Sequence, residues 1–150
     1  MGFIELSFAL RLVAAVVFGI VLGLERSLAG KHAGMRTYAL VSLGSAAFCL
    51  IGTLASYQLS VFAGINPLQI AGSIVIGIGF IGSGLATMHG EHPLELTTAS
   101  GIWVASAVGM ACGFGFYIIA ATLTILSVIV FTLLSKVEYR LRDNWGVRAK

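Results

Sequence analysis

Charged side chains are scarce in this chain: nine basic and six acidic in 150 residues, where a soluble domain carries roughly a quarter of its residues charged. A water-facing surface cannot be built from so few. Cysteine is scarcer still. Cys49 and Cys112 lie at different depths of separate apolar runs, without CxxC spacing, which argues against a disulfide framework or a zinc site and leaves two free, buried thiols. The first residues, Met1-Gly2-Phe3-Ile4-Glu5, hold an acid and no Lys or Arg, and no small-residue cleavage site follows the first apolar run. That run is therefore expected to remain as a span rather than to be removed as a signal peptide. No carboxylate falls in the middle of any apolar run; because calcium and magnesium need several convergent oxygens, a carboxylate-lined cation path is disfavoured. Enzyme motifs are missing too. Gly30-Lys31 is followed by His32 and lacks the upstream glycine of a phosphate-binding loop, and no serine sits in a GxSxG setting, so neither nucleotide hydrolysis nor serine chemistry is indicated. The expectation is a non-enzyme with no cofactor.

What the chain has in abundance is apolar surface, 58% of its residues, with a mean hydropathy of +1.00. A backbone in lipid must satisfy its own polar groups, and runs this long can do so only as helices. The fold class predicted is all-α, a polytopic membrane helix bundle forming a single transmembrane domain over 1–150. Five spans are read at about 8–24, 38–61, 68–88, 94–113 and 116–135, with a short basic tail over 136–150. Asn66-Pro67 can turn the chain and open the third span, since proline is tolerated in a first helical turn.

Two clusters hold eight of the nine basic residues: Arg26, Lys31 and Arg36 after the first span, and Lys136, Arg140, Arg142, Arg148 and Lys150 after the fifth. Cytoplasmic loops are enriched in Lys and Arg, and four crossings between the clusters put both on one side. The N-terminus is expected outside and the C-terminus inside. The pI near 9.1 then follows from sidedness and from attraction to anionic lipid head groups; no interleaved aromatics suggest nucleic acid.

Helices associate in lipid where small residues let backbones approach. On the third span Gly72, Gly79 and Gly82 share one face with Ser83 and Ala86, while Gly77 and Gly84 share another with Ser73. A bulky stripe of Ile70, Ile74, Ile78, Ile81, Leu85 and Met88 lies between. The pattern predicts a central third helix showing lipid only its bulky stripe, or alternatively a helix unwound around Gly77 to Gly84. The ladder Gly101, Ala105, Gly109, Gly113 in the fourth span is expected to cross the third closely. Gly19 and Gly23 form a further small-residue pair, and the fifth span is expected at the periphery. Such seams favour a homo-oligomer, a dimer first.

The candidate polar site is a cluster at the cytoplasmic interface: Glu25, Arg26, Arg36 and Thr37 flanking the first loop, with Thr97 and Thr98 at the start of the fourth helix. Glu25 and Arg36 are placed to pair, the alternative being a solvated loop that only anchors topology. Thr97, Thr98 and Ser100 also suit capping and packing. Arg11, one turn inside the first span, either snorkels to the outer head groups, pairs with Glu5 or faces a polar cavity. Trp103 reads as a packing residue. His89, Glu91, His92 and Glu95 lie near one another on a loop, which reads as solvated rather than metal-binding, so no metal is assigned.

Three ordered stretches, GLERSLAGKHAGMRTYALVSLGS at 23–45, NPLQIAGSIVIGIGFIGSG at 66–84 and LTTASGIWVASAVG at 96–109, resemble the MgtC/SapB family of bacterial membrane proteins. The resemblance implies a five-span inner-membrane protein linked to adaptation to low magnesium and to acid or intracellular stress. In some members it implies restraint of the F-type ATP synthase, a possible partner beside the lipid bilayer. Where Asn66-Pro67-Leu68-Gln69 stands here, the family usually has Asp-Pro and a following basic residue, so any role of that carboxylate is absent. Glu95-Leu96-Thr97-Thr98-Ala99-Ser100 is a milder departure, and the soluble C-terminal domain of several members is not expected in so short a chain. The functional expectation is an inner-membrane regulator supporting magnesium or acid-stress homeostasis. The alternative is a small channel or secondary transporter beside the third helix.

Overall fold

The computed structural model is all-helical across the residues it describes, 2–58, 66–87 and 96–145. Side chains are described for 5–58, 66, 68–85 and 96–141. The helices are α1 (Gly2–Leu28), α2 (Met35–Gln58), α3 (Pro67–Thr87), α4 (Leu96–Phe114) and α5 (Tyr117–Ile129); a π-helical segment, Val130–Leu134, then leads without a break into α6 (Ser135–Trp145). Among the described residues five stretches are long and apolar enough to cross a membrane, the fifth running from Tyr117 to Leu141. The loop with His89, Glu91, His92 and Glu95 lies outside the described residues, as do the side chains of Arg142, Arg148 and Lys150.

Helix α1 extends beyond its predicted 8–24 at both ends. Its 27 residues span about 40 Å, against roughly 30 Å of hydrocarbon, so Glu5 in the first turn and Arg26 in the last both reach the interfaces. Each charge also suits its end of the helix dipole. The helix closes on Gly30 at φ +68°, with Gly30 N–H donating to Ser27 O at 3.2 Å and Lys31 N–H to Arg26 O at 3.0 Å. That bond pair satisfies last-turn carbonyls and needs a left-handed residue, which glycine supplies without a Cβ penalty. Asn66 begins α3: its Oδ1 accepts the Leu68 N–H at 2.9 Å, and Pro67 fills the position where no donor is needed.

Helix α4, not α3, is central. It touches α1, α2, α3 and α5, and 56% of its spanning window is buried against 11% for α3. Its glycine ladder faces α2 rather than α3. A Cβ built on Gly109 would sit 2.7 Å from the carbonyl carbon of Ser42, and one on Gly113 would sit 2.7 Å from Ala46 O. At Gly101 the space is taken by the Tyr38 hydroxyl and by Phe131 Cζ. The matching row on α2 is thus Tyr38, Ser42, Ala46 and Cys49, at helical spacing along one buried face. Helices α1 and α2 close just as tightly, a Cβ on Gly23 falling 2.6 Å from Met35 Cα.

The expected central role of α3 is overturned, and its faces are inverted. Nothing lies within 4 Å of a Cβ built on Gly72, Gly77, Gly79 or Gly84, and Gly82 meets only Ala99 Cβ at 3.9 Å. The side turned inward is the bulky stripe: Ile78 is buried, and Ile70, Ile74 and Leu85 are half-buried. Lipid tails are as apolar as isoleucine, so helix association gains nothing from hiding that stripe, and van der Waals fit alone decides which face packs. The helix is also unbroken from Pro67 to Thr87, with no unwinding around Gly77 to Gly84. Trp103, expected to pack, is 54% exposed.

Candidate functional site

The first loop and the end of α5 meet at one end of the bundle. The Arg26 side chain is 5% exposed and pairs through Nε with Glu25, itself 18% exposed; its guanidinium carbon lies 4.1 Å from the centroid of the Phe131 ring. A buried cation without partners is expensive. Here a carboxylate neutralises it and an aromatic face covers it, the arrangement in which a cation–π contact is strongest. Phe131 is buried, and its ring together with the Tyr38 hydroxyl fills the gap above Gly101. Tyr38 then donates from its hydroxyl to Thr98 O at 3.2 Å. One compact set, Glu25 and Arg26 of α1, Tyr38 of α2, Thr98 and Gly101 of α4 and Phe131 of the π segment, ties four spans together.

The loop before α2 is fixed by its own chemistry. Ser27 Oγ accepts the Met35 N–H at 3.0 Å, and a side chain at Gly34 would strike that same hydroxyl. The expected Glu25–Arg36 pair is not formed: Arg36 is exposed on the first turn of α2, and Glu25 turns to its neighbour Arg26 instead. Adjacent residues at a helix end reach one another without crossing the loop. Thr37 is half-buried nearby, Thr98 is buried, and Thr97 is exposed. Thr97 lines a groove of about 430 Å³ between α4 and α5, with Ser100, Ser127 and the outer side of Phe131.

At the opposite end Arg11 takes a partner that the sequence did not suggest. Its Nη1 donates to Gly113 O at 3.0 Å, and its guanidinium carbon lies 5.8 Å from the Phe8 ring centroid. The reason is the end of α4. Gly115, at φ +83°, lets its N–H donate to Cys112 O at 2.9 Å and the Phe116 N–H to Ala111 O at 2.7 Å. The Gly113 carbonyl, next in the chain after those two, needs a donor, and a cation at a helix C-terminus is favoured by the dipole. Between the two ends the polar groups are hydroxyls. Ser45 and Ser106 are 3.1 Å apart in a buried hydrogen bond between α2 and α4, and the fully buried Ser42 lies one turn away. Cys49 and Cys112 are free and buried.

Among the described residues no group of three or more His, Cys, Asp or Glu side chains could hold a metal ion. The larger lateral groove, about 610 Å³ between α2 and α3, is lined almost wholly by apolar side chains such as Leu40, Phe48, Ile74 and Ile78.

The sequence profile of the MgtC family matches residues 12–140. The chain belongs to the MgtC family. It is similar to the putative magnesium transporter YhiD of Escherichia coli K12, 34% identical over 139 residues that cover 91% of this chain and 65% of the relative. SrpB of Synechococcus elongatus is 36% identical over 152 residues, covering 93% of this chain and 82% of that protein. MgtC of Salmonella typhimurium LT2 is 34% identical over 136 residues, covering 91% and 56%. The chain thus spans about two thirds of the YhiD relative and just over half of MgtC. No solved structure matches. This MgtC-family protein is a multi-pass membrane protein, and none of those three relatives is named as an enzyme.

Within the MgtC-family stretch, sequence reasoning missed Tyr38 and Phe131. Tyr38 carries a signal in hindsight, since a large polar-tipped residue on a small-residue face must meet a gap, and Gly101 is that gap. Phe131 stands in an unbroken apolar run and carries no such signal.

Proposed function

We propose that this chain is a non-enzymatic inner-membrane component of magnesium or acid-stress homeostasis that acts by modulating another membrane complex, the F-type ATP synthase being the first partner to test. Kinship with a relative named as a putative magnesium transporter supports the physiological context. The observation carrying the mode of action is the placement of charge. All six carboxylates lie at residues 5, 25, 91, 95, 138 and 143, outside the middle of the spans, while mid-depth contacts are serine hydroxyls. A divalent cation sheds its water only for several oxygen ligands, and hydroxyls in a close-packed helix interface do not supply them. The set around Arg26 is buried, and the polar residues exposed beside it, Arg36 and Thr97, give that end of the bundle a polar surface suited to contact with a partner. We further propose a homodimer, with the N-terminus outside and both basic regions facing the cytoplasm.

The competing reading is a channel or secondary transporter, favoured by the name of the YhiD relative. Purified protein in liposomes loaded with a magnesium-sensitive dye separates the two. The regulatory reading expects flux no greater than in empty liposomes, together with co-purification of a membrane complex that is lost in Glu25→Gln. Saturable magnesium flux abolished by the same substitution would establish transport in its place.

A further inference from the structure

The fifth span does not run as a uniform helix. Its buried residues, Ala120, Thr124 and Phe131, follow one α-helical face down to the point where the backbone widens into the π-helical turn of Val130–Leu134. Such turns are rare and frequent at functional sites. Here one coincides with the aromatic ring that covers Arg26. The Thr132 hydroxyl donates to Val128 O at 2.7 Å and approaches Ile129 O at 3.4 Å, supplying a donor where the hydrogen-bond ladder changes step. Beyond it α6 is almost bare: Val137, Tyr139 and Leu141 are each about half exposed or more, and no span packs broadly against it.

We propose that Val130–Leu134 is a joint with two registers, in which the seating of Phe131 on Arg26 sets the rotation of α6 relative to the bundle. A π turn accommodates one residue more than an α turn, so reversion to α would rotate everything after it by about 100°. On an α-helical ladder the positions following Phe131 on the inward face are Ser135 and Glu138. The widened turn shifts that face by one residue, to Lys136 and Tyr139, but every residue from 133 to 141 is exposed, so α6 buries no face in this register. In the α register the Glu138 carboxylate comes round to the side of the bundle that carries Arg26, where Glu25 already sits. The Glu25–Arg26 pair and the tail helix are thereby coupled: what loosens Phe131 turns α6, and what turns α6 uncovers Arg26. This coupling is independent of whether the protein regulates a partner or carries an ion.

Electron–electron distance measurements on the full chain in lipid nanodiscs test it. Spin labels are placed at Lys31→Cys and Tyr139→Cys, with Cys49→Ala and Cys112→Ala removing the native thiols. Rotation of a helix about 10–12 Å across by that angle moves a label by roughly 8 Å. Phe131→Ala is expected to shift the main distance by that order or to add a second population, while Phe131→Tyr, which keeps the ring, retains the parent distance. Thr132→Val, which removes only the hydroxyl at a half-buried position, is expected to add the same second population and serves should Phe131→Ala not fold. An unmoved single distance in Phe131→Ala, or in Thr132→Val where Phe131→Ala cannot be made, overturns the joint and leaves Phe131 a packing residue.

Discussion

Glycine acts at particular positions of this protein through what stands opposite it. A Cβ on Gly109 would fall against the Ser42 backbone, which cannot move aside as a flexible side chain can, whereas one on Gly79 would meet nothing. Gly109→Ala is therefore expected to lower the unfolding temperature in detergent, with a cost of roughly 1–3 kcal/mol typical of overpacking. Gly79→Ala is expected to leave it unchanged or raise it slightly, since alanine is the better helix former. Equal effects of the two substitutions in a thermal-melt series would contradict the packing described. Arg11 is a second case in which the partner decides. Its bond to Gly113 O involves a charged donor but is only half-buried, so Arg11→Met is expected to cost about 1.5 kcal/mol, the lower end for such bonds. Arg11→Lys should keep part of that, as the same melts would register.

Among the helices, the two rich in glycine have opposite fates. Helix α4 carries Gly101, Ala105, Gly109 and Gly113 in one strict four-residue row and buries it mostly against α2, while α3 spreads its glycines over two faces, of which only Gly82 meets a neighbour. A helix held mainly by Ile70, Ile74, Ile78 and Leu85 at the rim of the bundle has few neighbours to break before its backbone opens. Local opening follows that contact density, so amide hydrogens of α3 are expected to exchange faster than those of α4 in the same detergent-solubilised sample. Comparable protection of both would place α3 in the interior after all. Helix α1 shows how element boundaries follow the bilayer as well as the sequence. Its charged residues, Glu5 and Arg26, mark the interfaces, and the helix simply continues through them because each charge suits its end of the dipole.

For the molecule as a whole, Arg26 lying over Phe131 brings the end of the first span to the end of the fifth, the arrangement that four intervening crossings demand. Single cysteines introduced at Lys31 and at Lys136, with the two buried native thiols replaced, are expected to react with a membrane-impermeant maleimide from the same side, in inverted but not in right-side-out vesicles. Reaction from opposite sides would break the five-span arrangement. Composition and the length of the apolar runs determined the solvent, the helical class and the number of spans, because the hydrocarbon layer admits few other ways of satisfying a backbone. The spacing of Gly101, Gly109 and Gly113 likewise marked a close helix crossing, and Glu25 and Arg26 stood out as candidate polar residues. Only the tertiary structure decided which helix fills the ladder of α4, which face of α3 turns inward, that Glu25 holds Arg26 instead of Arg36, and that Tyr38 and Phe131 complete the cluster. The division has a physical cause. Transfer of an apolar run from water to lipid is a large, local quantity that each segment carries by itself, whereas helix pairing inside lipid depends on small differences in shape between surfaces equally apolar, and shape complementarity belongs to the pair.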